Sequence, residues 1–122
     1  MNIGKIGMLG EQATARYLRS KGYEIRNCNY ACRFGEIDIV AQKGTQLAFV
    51  EVKTRKEDAL VSGLESVDSH KQKRLTAAAQ DYYAKISKTE SAQPRFDVAE
   101  VIWREDDTGK IHIKLHYYKN AF

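Results

Sequence analysis

The stretch Glu-Ile-Asp-Ile-Val-Ala-Gln-Lys-Gly-Thr-Gln-Leu-Ala-Phe-Val-Glu-Val-Lys-Thr-Arg, residues 36–55, decides the fold. Two runs of alternating apolar residues flank a break at residues 43–46, and this pattern is typical of a β-hairpin. We take Gly44 and Thr45 as the two central residues of the turn, because a type II′ turn favours glycine at its first central position. This choice sets which residues of the two strands face each other.

The resulting register predicts one apolar face and one charged face. The apolar face consists of the facing pairs Ile37–Val52, Ile39–Val50 and Ala41–Ala48. On the other face Asp38 lies opposite Glu51, and Glu36 lies opposite Lys53, with Cβ atoms about 4.5–5.5 Å apart. A simple ion pair between Glu36 and Lys53 is an alternative to any role of Glu36 at a metal.

The facing carboxylates of Asp38 and Glu51 require a compensating cation, because like charges repel and burial increases the cost. Mg²⁺ binds carboxylate oxygens and waters, and one or two carboxylates are its usual protein ligands. Lys53 lies on the same face as Glu51 and is placed to position or activate a metal-bound water. The sequence therefore predicts a site for a hard divalent cation.

This set of residues is similar to a known signature. Asp38, followed after a short hairpin by Glu51-Val52-Lys53, resembles the PD-(D/E)xK signature of restriction-endonuclease-like nucleases. One position departs from it, since Ile37 stands where the signature has proline. That proline is often missing in this superfamily.

The resemblance extends over roughly residues 4–103. Gly10-Glu11, Gly-Glu-Ile-Asp-Ile-Val-Ala at 35–41 and Phe-Val-Glu-Val-Lys-Thr-Arg at 49–55 resemble the bacterial YraN-like family of uncharacterised proteins. That family is thought to share the core of archaeal Holliday-junction resolvases. The resemblance implies a metal-dependent nuclease that uses Mg²⁺, with Mn²⁺ as an alternative. It favours DNA over RNA as the substrate and leaves both branched and linear forms open. It also implies a homodimer.

Residues 4–21 are predicted to form a helix that ends at Gly22. Glu11 lies on an apolar stripe of this helix, where an acid is costly without a partner. Spacing alone leaves two interpretations open, a third metal-site carboxylate or a first-turn acid stabilised by the helix dipole. The resolvase resemblance, in which an N-terminal helix supplies a glutamate, favours the metal site.

A second helix is predicted over residues 67–87, with Ser66 or Asp68 as N-cap. Its buried stripe consists of Leu75, Ala78, Ala79, Tyr82 and Ile86. Lys71, Lys73 and Arg74 crowd its first turns, where cations oppose the helix dipole. Contact with a nucleic-acid backbone and a merely solvated face are both open interpretations.

Two further arginines are candidates for contact with phosphate. Arg33, which precedes the hairpin, is either a phosphate ligand or an ordinary surface residue, and Arg55 follows the hairpin directly. Residues 56–66 are predicted to be either a mobile loop beside the site or a passive connector. Asp97, in a strand over 95–103, is either a further site acid or a structural residue.

The predicted order αβββαββ, with strands also at 23–30 and 111–117, indicates a single domain over residues 1–122. We expect a restriction-endonuclease-like α/β sandwich with a central mixed sheet flanked by helices. Tyr23, Ile25 and Cys28 are predicted to point inward from the first strand. No Ser/His/Asp triad and no glycine-rich phosphate loop is visible, which disfavours acyl transfer and nucleotide hydrolysis.

Composition narrows the class of protein further. The 122 residues are 43% apolar and 30% charged, as in an ordinary globular domain. No apolar run reaches about 18 residues and no secretory leader is evident, so we expect a cytoplasmic protein with no membrane partner. Cys28 and Cys32 are expected to be reduced thiols rather than zinc ligands. The net charge of +4 is compatible with a nucleic-acid partner. A non-catalytic nucleic-acid-binding module on the same fold and a protein-interaction domain are the alternatives to a nuclease.

Overall fold

The computed structural model describes residues 3–58, 68–86 and 92–122. The elements are α1 Ile3–Ser20, β1 Glu24–Cys32, β2 Gly35–Lys43, β3 Gln46–Lys56, α2 Ser69–Lys85, β4 Gln93–Glu105 and β5 Ile111–Tyr118. The predicted order αβββαββ is confirmed. The loop predicted over 56–66 falls outside the described residues from position 59 onward. Neither helix in these ranges has the length and apolar character needed to cross a membrane.

The five strands form one mixed sheet in the order β1-β2-β3-β4-β5. β3 and β4 run parallel, and the other neighbouring strands are antiparallel. A parallel pair needs a crossover connection, and the segment that contains α2 supplies it between β3 and β4. This architecture is a restriction-endonuclease-like α/β fold, as predicted.

Both faces of the hairpin are buried, one under each helix. The cluster under α1 contains Ala15, Leu18, Tyr23, Ile39, Ala41, Ala48, Val50 and Ala99. The cluster under α2 contains Ile37, Val40, Leu47, Phe49, Leu75, Ala78, Ala79 and Tyr82. The middle of the second hairpin face is thus as apolar as the first, and the acids Glu36, Asp38 and Glu51 lie toward the end of the hairpin away from its turn.

The hairpin register is confirmed from the turn as far as Ile39 and Val50. Ile39 pairs with Val50 and Ala41 with Ala48, and Gly44 has the positive φ of 58° that the first turn position requires. The predicted pairing of Ile37 with Val52 is wrong, because the ladder between β2 and β3 ends at Ile39–Val50. Beyond that point Ile37 packs in the α2 cluster and Val52 against the α1 cluster.

The predicted helix ends are confirmed. After α1, Gly22 has φ 91°, and the N–H of Tyr23 donates to Leu18 O at 3.0 Å, as in a Schellman cap. At the start of α2 the Asp68 side chain accepts from the N–H of Lys71 at 2.9 Å, so Asp68 is the N-cap. The other candidate cap, Ser66, lies outside the described residues.

One inward prediction is wrong. Tyr23 is buried and Ile25 is half-buried, but Cys28 is exposed. The register between β1 and β2 shifts between Ile25 and Asn27. After this shift Cys28 pairs with Ile39 on the face toward α1 and lines an open cavity with Met8 and Glu11. It is exposed because β1 is an edge strand of the sheet and α1 does not cover this position.

Candidate active site

A cavity lies where β2 and β3 extend past the end of their ladder and the first turns of α2 approach them. It is lined by Ala31, Cys32, Arg33, Gly35, Glu36, Asp38, Glu51, Lys71, Arg74 and Leu75. Asp38 and Glu51 are therefore on the same side of the sheet and in the same cavity. Three predicted cations, Arg33, Lys71 and Arg74, line it with them.

The carboxylate of Asp38 is partly buried and serves as the hydrogen-bond acceptor that a backbone carbonyl of β2 would otherwise supply to β3. Its Oδ2 accepts a hydrogen bond from the N–H of Val52 at 2.8 Å, just where the β2–β3 ladder has ended. The pKa of Asp38 is raised to about 7, first by burial and then by the charge of Glu51, with a smaller effect from Glu11. The hydrogen bond from Val52 opposes the shift but does not cancel it. Asp38 is thus a carboxylate whose negative charge lacks full compensation.

Lys53 is held by Glu51. Its Nζ lies 3.1 Å from Glu51 Oε1, and both side chains are about one-fifth exposed. Burial acts to lower the pKa of Lys53, but a hydrogen bond with Lys71 and the charges of Glu51 and Asp38 outweigh it and raise the pKa. The pKa of Lys71 is lowered, first by its contact with Lys53 and then by burial. Lys53 therefore keeps its proton, and Lys71 is the more easily deprotonated of the two amines.

Glu11 approaches the site from α1, on the other side of the sheet. Its Oε2 accepts from Asn29 Nδ2 at 3.3 Å, and it lines a separate cavity with Met8 and Cys28. It is near enough to Asp38 to raise the pKa of that carboxyl. Within the described residues no three acidic, histidine or cysteine side chains are grouped so that they could hold a metal ion. A role for Glu11 as third ligand stays a prediction.

The glycine before Glu11 allows α1 to lie close to β3. A Cβ built on Gly10 would be 2.3 Å from Thr54 Oγ1, whereas side-chain atoms do not approach so closely in folded proteins. Thr54 directly follows Lys53 in the strand. The Gly10-Glu11 pair thus sets the distance between the helix and the strand that carries Glu51 and Lys53.

The remaining predicted residues are only partly at the cavity. Glu36 is exposed and lines it, while the ion pair of Lys53 is with Glu51. Arg55 is turned toward β4, where its Nε lies 3.6 Å from Glu100 Oε2. Lys73 lines a different cavity, with Phe122.

Asp97 has a structural environment. It is fully buried and accepts from Arg95, from the hydroxyl of Tyr117 at 2.6 Å and from the N–H of Asn120 at 3.0 Å. These contacts hold the chain after β5 against β4. Of the two interpretations of Asp97, these contacts favour the structural role over a role as a site acid.

Sequence reasoning missed Glu100, which is only 4% exposed and pairs in register with Lys53. The available signal was a single acid inside the apolar run Val98-Ala99-Glu100-Val101, where a charge is costly unless it has a partner. It also missed Ala31 and Cys32 as residues that line the cavity, because β1 continues to Cys32 rather than ending at Tyr30.

Comparison with known proteins defines the family. The model of the "Uncharacterised protein family UPF0102" matches residues 10–101. A UPF0102 protein of Alkaliphilus metalliredigens is 44% identical over 117 residues, which are 96% of each chain. Others are a UPF0102 protein of Caldanaerobacter subterraneus, 40% identical over 100% of this chain and 98% of the relative, and one of Syntrophus aciditrophicus, 42% identical over 97% and 88%. The resemblance to the YraN-like family is thereby confirmed, and the chain belongs to the UPF0102 family.

Proposed function

We propose that this protein is a metal-dependent nuclease that hydrolyses phosphodiester bonds in nucleic acid, with DNA as the favoured substrate. The observation that carries the proposal is the shared cavity of Asp38 and Glu51, with three cationic side chains on its walls. A phosphodiester needs both kinds of group, because cations hold its charge while acids bind a metal that activates water.

The donors fit a hard divalent cation. Asp38 and Glu51 supply two carboxylates, the usual protein share for Mg²⁺, and the raised pKa of Asp38 is that of a carboxyl without its full countercharge. Glu11 is the candidate for a third carboxylate. A bound Mg²⁺ or Mn²⁺ would supply Lewis-acid chemistry, polarising the phosphate and lowering the pKa of a water.

Lys53 serves the reaction from beside the acids. Its Nζ is fixed by Glu51 at 3.1 Å, and its raised pKa keeps it a cation at neutral pH. A fixed ammonium next to the scissile phosphate stabilises the charge that develops in the transition state, and its N–H groups orient the attacking water. This group requires no reorganisation, because its partner already holds it.

Phosphates on either side of the cut are held by Arg33, Lys71 and Arg74, which converge on the cavity from the β1–β2 turn and from α2. Arginine matches phosphate geometry with two parallel hydrogen bonds. Arg55 can contact phosphate only if its side chain moves away from Glu100, and we include it among the phosphate contacts on that condition. Such contacts make affinity fall with salt.

The proposal is tested by incubating the full chain with labelled duplex DNA, single-stranded DNA, a four-way junction and RNA, each with and without Mg²⁺ or Mn²⁺. Cleavage should require the metal and be lost in Asp38→Asn and in Glu51→Gln. Asp107→Asn, an exposed acid of the β4–β5 turn, is the matched control and should cleave normally. Metal-dependent cleavage that survives in either purified site variant would refute the assignment.

One observation favours a second candidate, a nucleic-acid-binding module that does not cut. The ion pair with Lys53 already neutralises part of the charge of Glu51, which weakens the need for a metal there. In that case the same panel shows salt-dependent binding in EDTA and no scission with either metal. Loss of binding in Arg74→Ala without any cleavage by wild type would favour this candidate.

A further inference from the structure

The turn between β1 and β2 places an aromatic ring beside the cavity, in contact with one of the residues that line it. Phe34 is 40% exposed, and the guanidinium carbon of Arg33 lies 4.7 Å from its ring centroid. Its two neighbours in the chain, Arg33 and Gly35, both line the cavity that contains Asp38. Phe34 does not line the cavity itself, but its ring contacts Arg33, which does.

The position of this ring is well defined by its surroundings. Cys32 and Gly35 are paired across the two strands, so the turn consists of only two residues. The turn also abuts α2, because a Cβ on Gly35 would lie 3.8 Å from side-chain atoms of Arg74. An aromatic side chain has few rotatable bonds, so it loses little entropy on contact with a ligand. The short turn therefore holds the ring at the protein surface, beside α2.

The chemistry of this pair is suited to a nucleobase. Unstacked bases bind to aromatic rings and to the plane of an arginine. In a continuous duplex the base faces are covered by their neighbours, so a protein ring meets a base face only where the strand is unpaired or its stacking is broken. Along β2, Phe34 and Asp38 are four residues apart, about 13 Å at the rise of a β-strand. That span is a few nucleotides.

We propose that Phe34, with Arg33 beside it, stacks on an unpaired or unstacked base next to the phosphate held at Asp38 and Glu51. The substrate class is then nucleic acid with single-stranded character near the cut. This inference rests on the proposed function for the identity of the ligand, but it concerns binding and not hydrolysis.

The test measures binding of fluorescein-labelled oligo(dT) of about 16 nucleotides, and of a blunt duplex of the same length, to the full chain in EDTA. Phe34→Ala should bind oligo(dT) about 5- to 100-fold more weakly, the range found when a stacking aromatic is truncated, with duplex binding unchanged. Phe34→Trp should keep or increase the affinity for oligo(dT). Tyr83→Ala, an equally exposed aromatic that lines another cavity, should behave as wild type.

A second measurement reports contact directly. Trp103 is the one tryptophan of the chain, so Phe34→Trp in a Trp103→Phe background gives a single fluorophore at the turn. Its emission should be quenched by oligo(dT) and not by the duplex. The same quenching measurement with oligo(U) shows whether the ring stacks on bases of DNA only or of RNA as well.

Equal weakening of both ligands by Phe34→Ala, no weakening of either, or the absence of quenching would overturn the inference. These results are independent of catalysis, because no divalent metal is present. Asp38→Asn should abolish cleavage yet keep the difference between wild-type and alanine side chains at position 34. Loss of cleavage with intact stacking and loss of stacking with intact cleavage are therefore distinguishable outcomes.

Discussion

Replacing Asp38 by asparagine should stabilise the metal-free fold at neutral and higher pH while it removes activity. Asparagine has nearly the same shape and keeps an oxygen that can accept the N–H of Val52. It lacks the charge that burial and Glu51 make unfavourable. Wild type is then less stable than the asparagine variant, as expected where a residue is kept for function at the expense of stability.

The magnitude follows from the pKa of Asp38. In the folded state it is raised from 3.8 to about 7, so folding favours the protonated form and wild-type stability falls as pH rises through this window. At about 1.4 kcal/mol for each pH unit, the penalty is about 4 kcal/mol at pH 8 and about 1.5 kcal/mol at pH 5. Below the unfolded-state pKa it vanishes, because the carboxyl is protonated in both states.

The assay is urea unfolding of wild type and Asp38→Asn in EDTA across this pH range. The variant should be more stable at high pH, and its advantage should shrink by about 2–3 kcal/mol between pH 8 and pH 5. Asp106→Asn is a control of opposite sign. Hydrogen bonds, first from Thr108 and then from His112, hold the pKa of Asp106 below its usual range. That variant should therefore be less stable than wild type by an amount that stays nearly constant from pH 8 to pH 5, because Asp106 is ionised in both the folded and the unfolded chain over this range.

Two results would refute this reasoning. One is an Asp38→Asn variant that is less stable than wild type at pH 8, and the other is a stability difference that does not change with pH. Addition of Mg²⁺ extends the test to the proposed function. Wild type should be stabilised by about 2.7 kcal/mol when the metal is at 100 times its Kd, whereas Asp38→Asn should respond much less.

Three other substitutions test other parts of the structure. Arg95→Ala removes the ion-pair partner of the fully buried Asp97, which lies 2.9 Å away in the folded chain. It should lower the free energy of unfolding by about 3–5 kcal/mol. A loss of less than about 1 kcal/mol would show that this ion pair contributes little to stability. Gly10→Ala should cost about 1–3 kcal/mol because the new methyl group meets Thr54 Oγ1, and Thr54→Ala added to it should recover most of the loss in thermal denaturation. Lys71→Ala should reduce the slope of log affinity against log salt by about 1 on every nucleic acid that binds, and an unchanged slope would remove Lys71 from the interface.

The elements and their order were predictable because local patterns decide them. Alternation of apolar residues around Gly44 determines the hairpin and its register, and the apolar stripes with Gly22 and Asp68 determine where the helices lie. The spacing of Asp38, Glu51 and Lys53 on their strands was likewise sufficient to predict that they come together. A period of two holds in β3, where Val50 and Val52 both pack toward α1, but it is broken in β2, where Ile37 and Ile39 pack under different helices.

Other features depend on contacts between residues far apart in the chain. The bulge between Ile25 and Asn27 arises from the pairing of β1 with β2, and the ladder ends before Ile37 and Val52, where the Asp38 carboxylate accepts the Val52 N–H. Neither the bulge nor the end of the ladder can be predicted from the local alternation of apolar and polar residues. The same is true of the partners that Arg55 and Glu11 actually contact.

The sequence by itself determined that two acids and a lysine share one end of a hairpin, because strand geometry is repetitive and short-ranged. Only the tertiary structure decided what surrounds them. It places α2 so that Lys71 touches Lys53 and Arg74 meets the β1–β2 turn, and it sets Phe34 against Arg33, which lines the cavity. These contacts join segments separated by tens of residues, and their geometry follows from how the helices pack on the sheet, which no local pattern encodes.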